Sequence, residues 1–353
     1  MTTADLPTIR VTGPGDLVEA MPYLLGFHPA ESLVVIGFDS AERSVRRVVV
    51  TARLDLTPDG VDRAALRSLV QVLGRSGARA AVTVLVSEAL PPPEHRAPGD
   101  DPPGAGTTAS LTELVGRELA EAGMALLDAL AASATRWWSL RCAAPGCCPP
   151  HGTPRPAATS AVAAQATYAG MVALPDRETV RRGIDGAPAA IRAALLPALR
   201  RADERFAELI ERNGEVRARR GERGALVTAA RECEAGTLLS PRRLARLGAA
   251  LRDLEVRDAL WLLVDDRTLA AERLLTQLHA RLPSPYQAAP LFLFGWHHWR
   301  TGNGTLAGMV AEQALQADPE YSAAHLLLDA LEAGMDPRTT PLLASGRASD
   351  VPA

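Results

Sequence analysis

The chain has 353 residues, of which 47% are hydrophobic and 22% charged, and this ordinary globular composition excludes a collagen-like or largely disordered protein. The formal net charge is -3, so electrostatics gives no support to nucleic acid or an anionic membrane as a partner. The chain contains no lysine, which excludes P-loop nucleotide binding and lysine Schiff-base chemistry. With no secretory pattern and no apolar run of membrane-spanning length, we expect a cytoplasmic protein.

The first part of the chain alternates between strand-like and helix-like segments. We predict strands over 32–38, 44–56, 80–86 and 136–142, and helices over 16–27, 61–75 and 112–132. The Pro/Gly-rich segment 90–109 cannot bury enough apolar surface to offset its conformational entropy and is predicted to be a mobile loop. This alternation predicts an α/β domain over residues 1–156, with a mixed sheet and flanking helices.

Beyond residue 156 the strand signal disappears. The pattern predicts helices over 159–171, 187–213, 221–235 and 241–263, followed by a group of three helices that ends near residue 336. We therefore expect a second, all-α domain over 157–336 and a disordered tail over 337–353.

Part of the helical region resembles a tetratricopeptide repeat. Small residues stand where two antiparallel helices would cross, and a proline closes the unit: Gly295, Ala307, Ala314 and Pro319. Because one and a half repeats cannot bury a core alone, we expect tetratricopeptide-like packing against the preceding helices. Such repeats often form concave peptide-binding faces, so the resemblance is compatible with a protein partner, and a purely structural cap is the alternative.

Four metal-ligating or nucleophilic residues lie within ten positions, in the loop over 142–154: Cys142, Cys147, Cys148 and His151. Three interpretations stay open. The loop is a rigid packing element in which the cysteines act as small apolar residues, or a structural zinc site with Cys142, Cys148 and His151 as ligands, or the location of a reactive thiol at Cys147 or Cys148. No other cofactor is predicted.

A second group of polar residues lies at the connection between the first helix and the first strand. Tyr23, His28 and Glu31 stand in this connection, and a histidine beside a carboxylate is typical of acid–base chemistry. Together with Cys147 and Cys148 they form the set of candidate catalytic residues. A capped turn, with His28 bonded to the main chain, is the structural alternative.

Three blocks of sequence together resemble an actinobacterial family known as a domain of unknown function, number 4192. The blocks are PYLLGFHPAESLVVIGF, RWWS with the following CCPPHGTP, and ALWLLVDD with the following PLFLFGWHHWRTGNG. The resemblance covers most of residues 8–335. It implies no reaction and no ligand, because the family carries no activity.

The sequence favours a non-catalytic protein-interaction or scaffolding role, since catalytic motifs are missing and the C-terminal helices have a repeat-like register. One alternative is a hydrolase or transferase with its site between the His28 loop and the Cys142–His151 loop, because α/β folds place ligands at strand ends. Another alternative is a small structural zinc site in the Cys/His loop. Whether the protein is an enzyme, and which oligomer it forms, stays open.

Overall fold

The computed structural model describes residues 10–42, 45–89, 105–142, 144, 148–149, 151–155, 160–337 and 339–343, with the side chains of 105–109 excepted. The chain divides into two compact units, residues 1–179 and 180–353. Most of the predicted loop over 90–109 lies outside the described residues, and residues 105–109 belong to a helix.

The first unit contains a mixed sheet with helices, which confirms the predicted fold class. Its strands are β1 (Ser32–Phe38), β2 (Val48–Asp55), β3 (Ala80–Val86), β4 (Ala125–Ala132), β5 (Arg136–Ser139) and β6 (Thr153–Pro154). Its helices are α1 (Pro14–Leu25), α2 (Arg63–Arg75), α3 (Ala105–Glu121) and α4 (Ala161–Tyr168). The strand order is β2-β1-β3-β4-β5-β6; β3 and β4 are parallel, and the other neighbours are antiparallel.

One face of the sheet packs against α2 and α3. Leu33 and Val35 of β1 join the apolar side chains of both helices in a single buried cluster. Because side chains alternate along a strand, Val34 and Ile36 point to the opposite face, and both are fully buried. Helix α1 packs with α4 and contacts β2 and β5. Burial on both faces makes β1 a continuous apolar strand.

The predicted helix over 112–132 is wrong in its second half. Helix α3 ends at Glu121, a turn follows in which Gly123 has a φ of 73°, and residues 125–132 form strand β4. The Leu/Ala-rich sequence of β4 has good helix propensity, but pairing with β3 and β5 stabilises the extended form. Tertiary context therefore overrides local preference at this position.

The second unit is helical, as predicted. Its helices are α5 (Arg177–Asp185, which begins in the first unit), α6 (Ala189–Ala193), α7 (Leu196–Asn213), α8 (Glu215–Glu234), α9 (Pro241–Ala250), α10 (Leu254–Asp265), α11 (Glu272–Arg281), α12 (Ala288–Arg300), α13 (Gly304–Ala317) and α14 (Ser322–Glu332). The core of this unit includes α12, of which all residues except His297 and His298 are buried. None of the described helices combines the length and apolar character needed to cross a membrane.

Two expected boundaries differ from the structure. Helix α4 packs on α1, so the first unit extends to residue 179 rather than 156. The beginning of the segment for which we expected disorder is hydrogen-bonded to Arg300 and Asp265 of the helical unit. The contacts that fix both segments are distant in sequence, so local composition does not reveal them.

Replacing Gly37 of β1 should destabilise the first unit. A Cβ atom at this position would lie 2.9 Å from Val50 Cγ1 and 3.0 Å from Ala78 Cβ, and neither neighbour is a flexible chain end. We expect Gly37→Ala to lower the free energy of unfolding by about 1–3 kcal/mol through overpacking. The measurement is urea unfolding followed by circular dichroism.

The matched control is Gly74→Ala in α2, where a Cβ atom would meet open space. This change should leave stability unchanged or raise it by about 0.5–1 kcal/mol, because alanine is the better helix former. Equal unfolding midpoints for the two variants would contradict the proposed crowding at Gly37.

Candidate functional sites

One of the polar residues predicted from the first sequence block, Glu31, lies at one edge of the sheet. Strand β1 begins at this edge, and its antiparallel neighbours β2 and β3 end beside it. Because β4 is parallel to β3, its C-terminal end reaches the same edge. The carboxyl ends of parallel strands are where α/β folds usually bind ligands. Glu31, Ser87 and Ser133 flank β1, β3 and β4 at this edge.

Glu31 links the strands at this edge. Its carboxylate accepts hydrogen bonds from Ser87 Oγ at 2.8 and 3.0 Å and from the Glu88 main-chain N–H at 3.2 Å. Its own carbonyl accepts a bond from the Leu56 N–H at 2.8 Å, next to the end of β2. Its φ of 38° is left-handed, which is strained for a side chain other than glycine. These bonds hold the strained residue in place and occupy the carboxylate.

His28 has a different set of partners. The residue is exposed, and its main-chain N–H donates to the Leu174 carbonyl at 2.9 Å. Partial desolvation and then the positive charge of Arg155 lower the pKa of the imidazole, while Glu19 opposes the shift. Arg155 Nε donates to Glu19 Oε1 at 2.8 Å in a half-buried ion pair. Arg155, just beyond the Cys/His loop, is therefore a neighbour of His28.

The remaining predicted residues are not gathered into one site. Tyr23 is half-buried on α1, Cys142 and Cys148 are half-buried, and His151 is exposed. Cys147 lies outside the described residues. Across the described ranges, no three His, Cys, Asp or Glu residues are grouped to hold a metal ion, so Cys142, Cys148 and His151 are not brought together.

The described end of the loop is fixed by close packing. Gly152 has a φ of 74°, and a Cβ atom there would lie 3.1 Å from the Trp137 carbonyl and 3.2 Å from the Trp138 ring. Arg136 Nη1 donates to the carbonyls of His151 and Gly152 at 3.1 and 3.0 Å. This part of the loop is therefore folded tightly onto β5.

A second candidate site lies in the helical unit, where Asp265 and Arg300 form a buried ion pair. Asp265 ends α10 and Arg300 ends α12, and their side chains are 1% and 4% exposed. Arg300 Nε donates to Asp265 Oδ1 at 2.6 Å, and Trp296 Nε1 donates to the same oxygen at 2.8 Å. We name these three residues, Asp265, Trp296 and Arg300, the clamp.

The clamp holds the C-terminal segment over 337–343, of which residue 338 is not described. Arg300 donates from Nη1 and Nη2 to three main-chain carbonyls, those of Pro337 (2.8 Å), Thr340 (2.9 Å) and Pro341 (2.9 Å). The Leu343 N–H donates to Asp265 Oδ2 at 2.7 Å. All four bonds reach main-chain atoms, so they recognise the backbone of the segment and not particular side chains. The segment is turned and not extended, because the N–H groups of Thr339 and Thr340 donate to the Asp336 carbonyl at 3.1 and 3.0 Å.

The comparisons with known proteins give a family and no activity. A family model described as Domain of unknown function (DUF4192) matches residues 14–338, which is most of the chain. The chain belongs to this family. No match to the chain is found among curated proteins or among solved structures. The matched range contains both the sheet edge and the clamp, and the family's description assigns neither a role.

Two histidines, the buried His279 and the half-buried His298, lie on either side of Phe294 in the same unit. Its ring centroid lies 5.0 Å from that of His279 and 4.4 Å from that of His298. Neither ring nitrogen of His279 makes a hydrogen bond with good geometry to a described residue. The nearby main chain of Ile184 raises the pKa of His279, and this is the smaller of the two causes that act on it. Burial dominates and lowers the pKa of each histidine to about 4.

Sequence reasoning did not find the clamp. Asp265 and Arg300 are 35 positions apart, and neither has a local motif that indicates an ion pair. Two local features were visible in the sequence: Asp265 follows an apolar run, and Arg300 follows the sequence Trp-His-His-Trp. Such residues are usually solvated at a helix end, and only the packing of α10 against α12 buries them.

The helical unit should lose stability as pH falls from 6.5 to about 4, because the unfolded state takes up protons that His279 and His298 exclude in the folded chain. Above pH 6.5 these two histidines are neutral in the folded and in the unfolded chain, so they cause no change of stability with pH. The expected slope is about 1 kcal/mol per pH unit for each histidine. Glu272, whose pKa is lowered chiefly by its bond to His297, adds a loss only below its ordinary value of 4.5.

Chemical unfolding of His279→Leu and of His325→Leu at a series of pH values isolates this effect. His279→Leu should reduce the slope between pH 6.5 and 4, whereas His325 is exposed on α14 and its replacement should leave the slope unchanged. An unreduced slope in His279→Leu would show that His279 does not stay neutral in the folded chain.

Proposed function

We propose that the protein is a non-catalytic, cytoplasmic interaction protein whose helical unit binds a short polypeptide turn at the clamp. The observation that carries this proposal is the pattern of hydrogen bonds from Arg300. One bond goes to a carboxylate, and three go to main-chain carbonyls of the chain's own C-terminal segment. The segment of a partner, or of a second copy, presents the same main-chain groups.

The burial of Arg300 supports this role. A guanidinium that is 4% exposed loses its hydration and needs a full set of partners. When the chain's own segment leaves, three of the N–H bonds of Arg300 lose their acceptors, so the clamp favours any polypeptide turn that replaces them. Pro337 and Pro341 have a fixed φ, which lowers the entropy that the segment loses on binding.

The packing of α12 and α13 agrees with the tetratricopeptide resemblance, which we retain as part of this proposal. A Cβ atom on Gly295 would lie 3.3 Å from the Ala307 carbonyl and 3.0 Å from a Leu327 methyl group. Ala307 and Ala314 are fully buried. Small residues thus lie where the helices approach most closely, and the clamp arginine stands at the end of α12.

A chain shortened after Met335 should bind a synthetic peptide with the sequence of residues 336–343. Removal of the segment should lower the midpoint of thermal unfolding, and the peptide should restore it in a concentration-dependent way, because a ligand of the folded state stabilises it. A peptide with the same prolines and altered side chains elsewhere should also restore the midpoint, since recognition is through the main chain.

Arg300→Lys in the shortened chain should abolish this restoration, because a lysine side chain cannot reproduce the planar set of donors. Arg200→Lys, at an exposed position of α7, is the matched control. A shortened chain that the peptide does not stabilise, or that Arg300→Lys leaves fully responsive, would sink the proposal.

Two alternatives from the sequence remain proposals, namely an enzyme site between the His28 loop and the Cys/His loop, and a zinc site in the latter. The lowered pKa of His28 supports a neutral base beside Arg155. The zinc alternative rests on the sequence alone, since thiols and an imidazole are zinc-type donors, while Cys142, Cys148 and His151 are not grouped in the structure. Metal content and thiol reactivity of wild type and Cys148→Ser address both. One zinc per chain that Cys148→Ser loses supports the zinc site; one fast-reacting thiol without metal supports the enzyme.

A further inference from the structure

Strand β2 lies at an edge of the sheet, because β1 is its only neighbour among the described strands. The main-chain groups of an edge strand that point away from the sheet form a template for another strand. The opposite edge is protected, since β6 has two residues and one of them is Pro154, which has no N–H to donate. Strand β2 has eight residues and no proline, so it is a long edge without this protection.

The hydrogen bonds to β1 show which main-chain groups of β2 point outward. The Leu56 N–H donates to the Glu31 carbonyl at 2.8 Å, so these two residues form a bonded pair that continues the register of the two strands. Bonded and non-bonded pairs alternate along an antiparallel ladder. Thr51, Arg53 and Asp55 therefore point their N–H and C=O groups away from β1. Within the described part of the chain, these outward groups have no hydrogen-bond partner.

The side chains of β2 leave apolar surface at this edge. Val50, Ala52 and Leu54 pack against the buried cluster of α2, α3 and the sheet, and all three are only half-buried. Arg53 does not guard the edge, because its Nε donates to Ser32 Oγ at 2.8 Å and its side chain is 14% exposed. A further strand would cover the apolar row and extend the cluster.

Exposed charges of opposite sign adjoin the two ends of β2. Arg46 and Arg47 precede the strand, Asp55 ends it and Asp59 lies in the turn that follows, and all four are exposed. In an antiparallel pair of identical strands, the basic end of each copy lies beside the acidic end of the other, so both junctions are attractive. A parallel pair would place like charges together. A uniformly acidic or basic peptide would be repelled at one end. The charge pattern therefore favours a second copy of this chain.

We propose that the protein forms a dimer in which β2 pairs antiparallel with β2 of a second copy, about a two-fold axis near Thr51. The pairing joins the two six-stranded sheets into one and uses the outward groups of Thr51, Arg53 and Asp55. This inference rests on the first unit alone, so it is independent of the clamp.

The first test measures the association of the full wild-type chain. Sedimentation equilibrium should show a monomer–dimer equilibrium, and the amide protons of Thr51, Arg53 and Asp55 should exchange with solvent more slowly as the protein concentration rises. The amides of Ala52 and Leu54 bond to β1 and are the internal controls, whose exchange should change little. A chain that stays monomeric overturns the proposal. So do outward amides that exchange slowly in the monomer, or fast in the dimer.

The second test removes one outward N–H. Thr51→Pro deletes a donor that β1 does not use and places its ring where the second copy approaches, so it should raise the dissociation constant of the dimer at least about tenfold. Thr51→Val keeps the N–H and a β-branched side chain, and it should dimerise like wild type. A folded Thr51→Pro variant that dimerises like wild type contradicts the proposal. Circular dichroism shows whether the variant folds, and if it does not, the charge variants decide.

The third test reverses the charges at the ends of β2. One variant combines Arg46→Glu with Arg47→Glu, which makes both ends acidic, and the other combines Asp55→Arg with Asp59→Arg, which makes both ends basic. Each variant alone should dimerise at least about tenfold more weakly than wild type. An equal mixture should form a heterodimer, because unlike ends meet at both junctions. Variants that each dimerise like wild type, or a mixture that stays monomeric, would refute the antiparallel pairing.

Discussion

The buried ion pair between Asp265 and Arg300 is the constraint on which the helical unit's C-terminal half depends. Removing one partner of such a pair typically costs about 3–5 kcal/mol, because the other charge is left desolvated. The pair is tolerated since every neighbouring group is used: Asp265 accepts from Arg300, Trp296 and the Leu343 main chain. The C-terminal segment thus completes the solvation of the pair. The proposed interaction role rests on the fact that the acceptors of Arg300 in this segment are main-chain atoms, which any polypeptide turn of the same form offers.

The first unit uses a polar side chain for a similar purpose. Glu31 holds the end of β3 through Ser87, and the strain of its left-handed backbone is balanced by these bonds. From sequence alone, a glutamate near a histidine at a strand end indicates acid–base chemistry equally well. The distinction depends on what the carboxylate contacts, and Ser87 is 56 positions away. A loop rich in polar residues therefore does not by itself identify a catalytic site.

The parts of the fold that could be predicted are those with a strong local signal. Strands β1 and β3 are short apolar runs rich in β-branched residues, and both were predicted at their observed bounds. Strand β4 was not, since its Leu/Ala sequence favours a helix until the sheet pairs with it. Gly295 was recognised as a helix-crossing residue because a repeat pattern marks it. The clamp joins residues distant in sequence, so no local pattern could reveal it.

The chain contains no lysine, a composition typical of codon bias, and this has a structural consequence. Arginine carries five donors in a plane, whereas lysine carries three on a single atom. Arg300 uses this plane to bond one carboxylate and three carbonyls from a buried position. A lysine at this position could not supply the same planar set of donors.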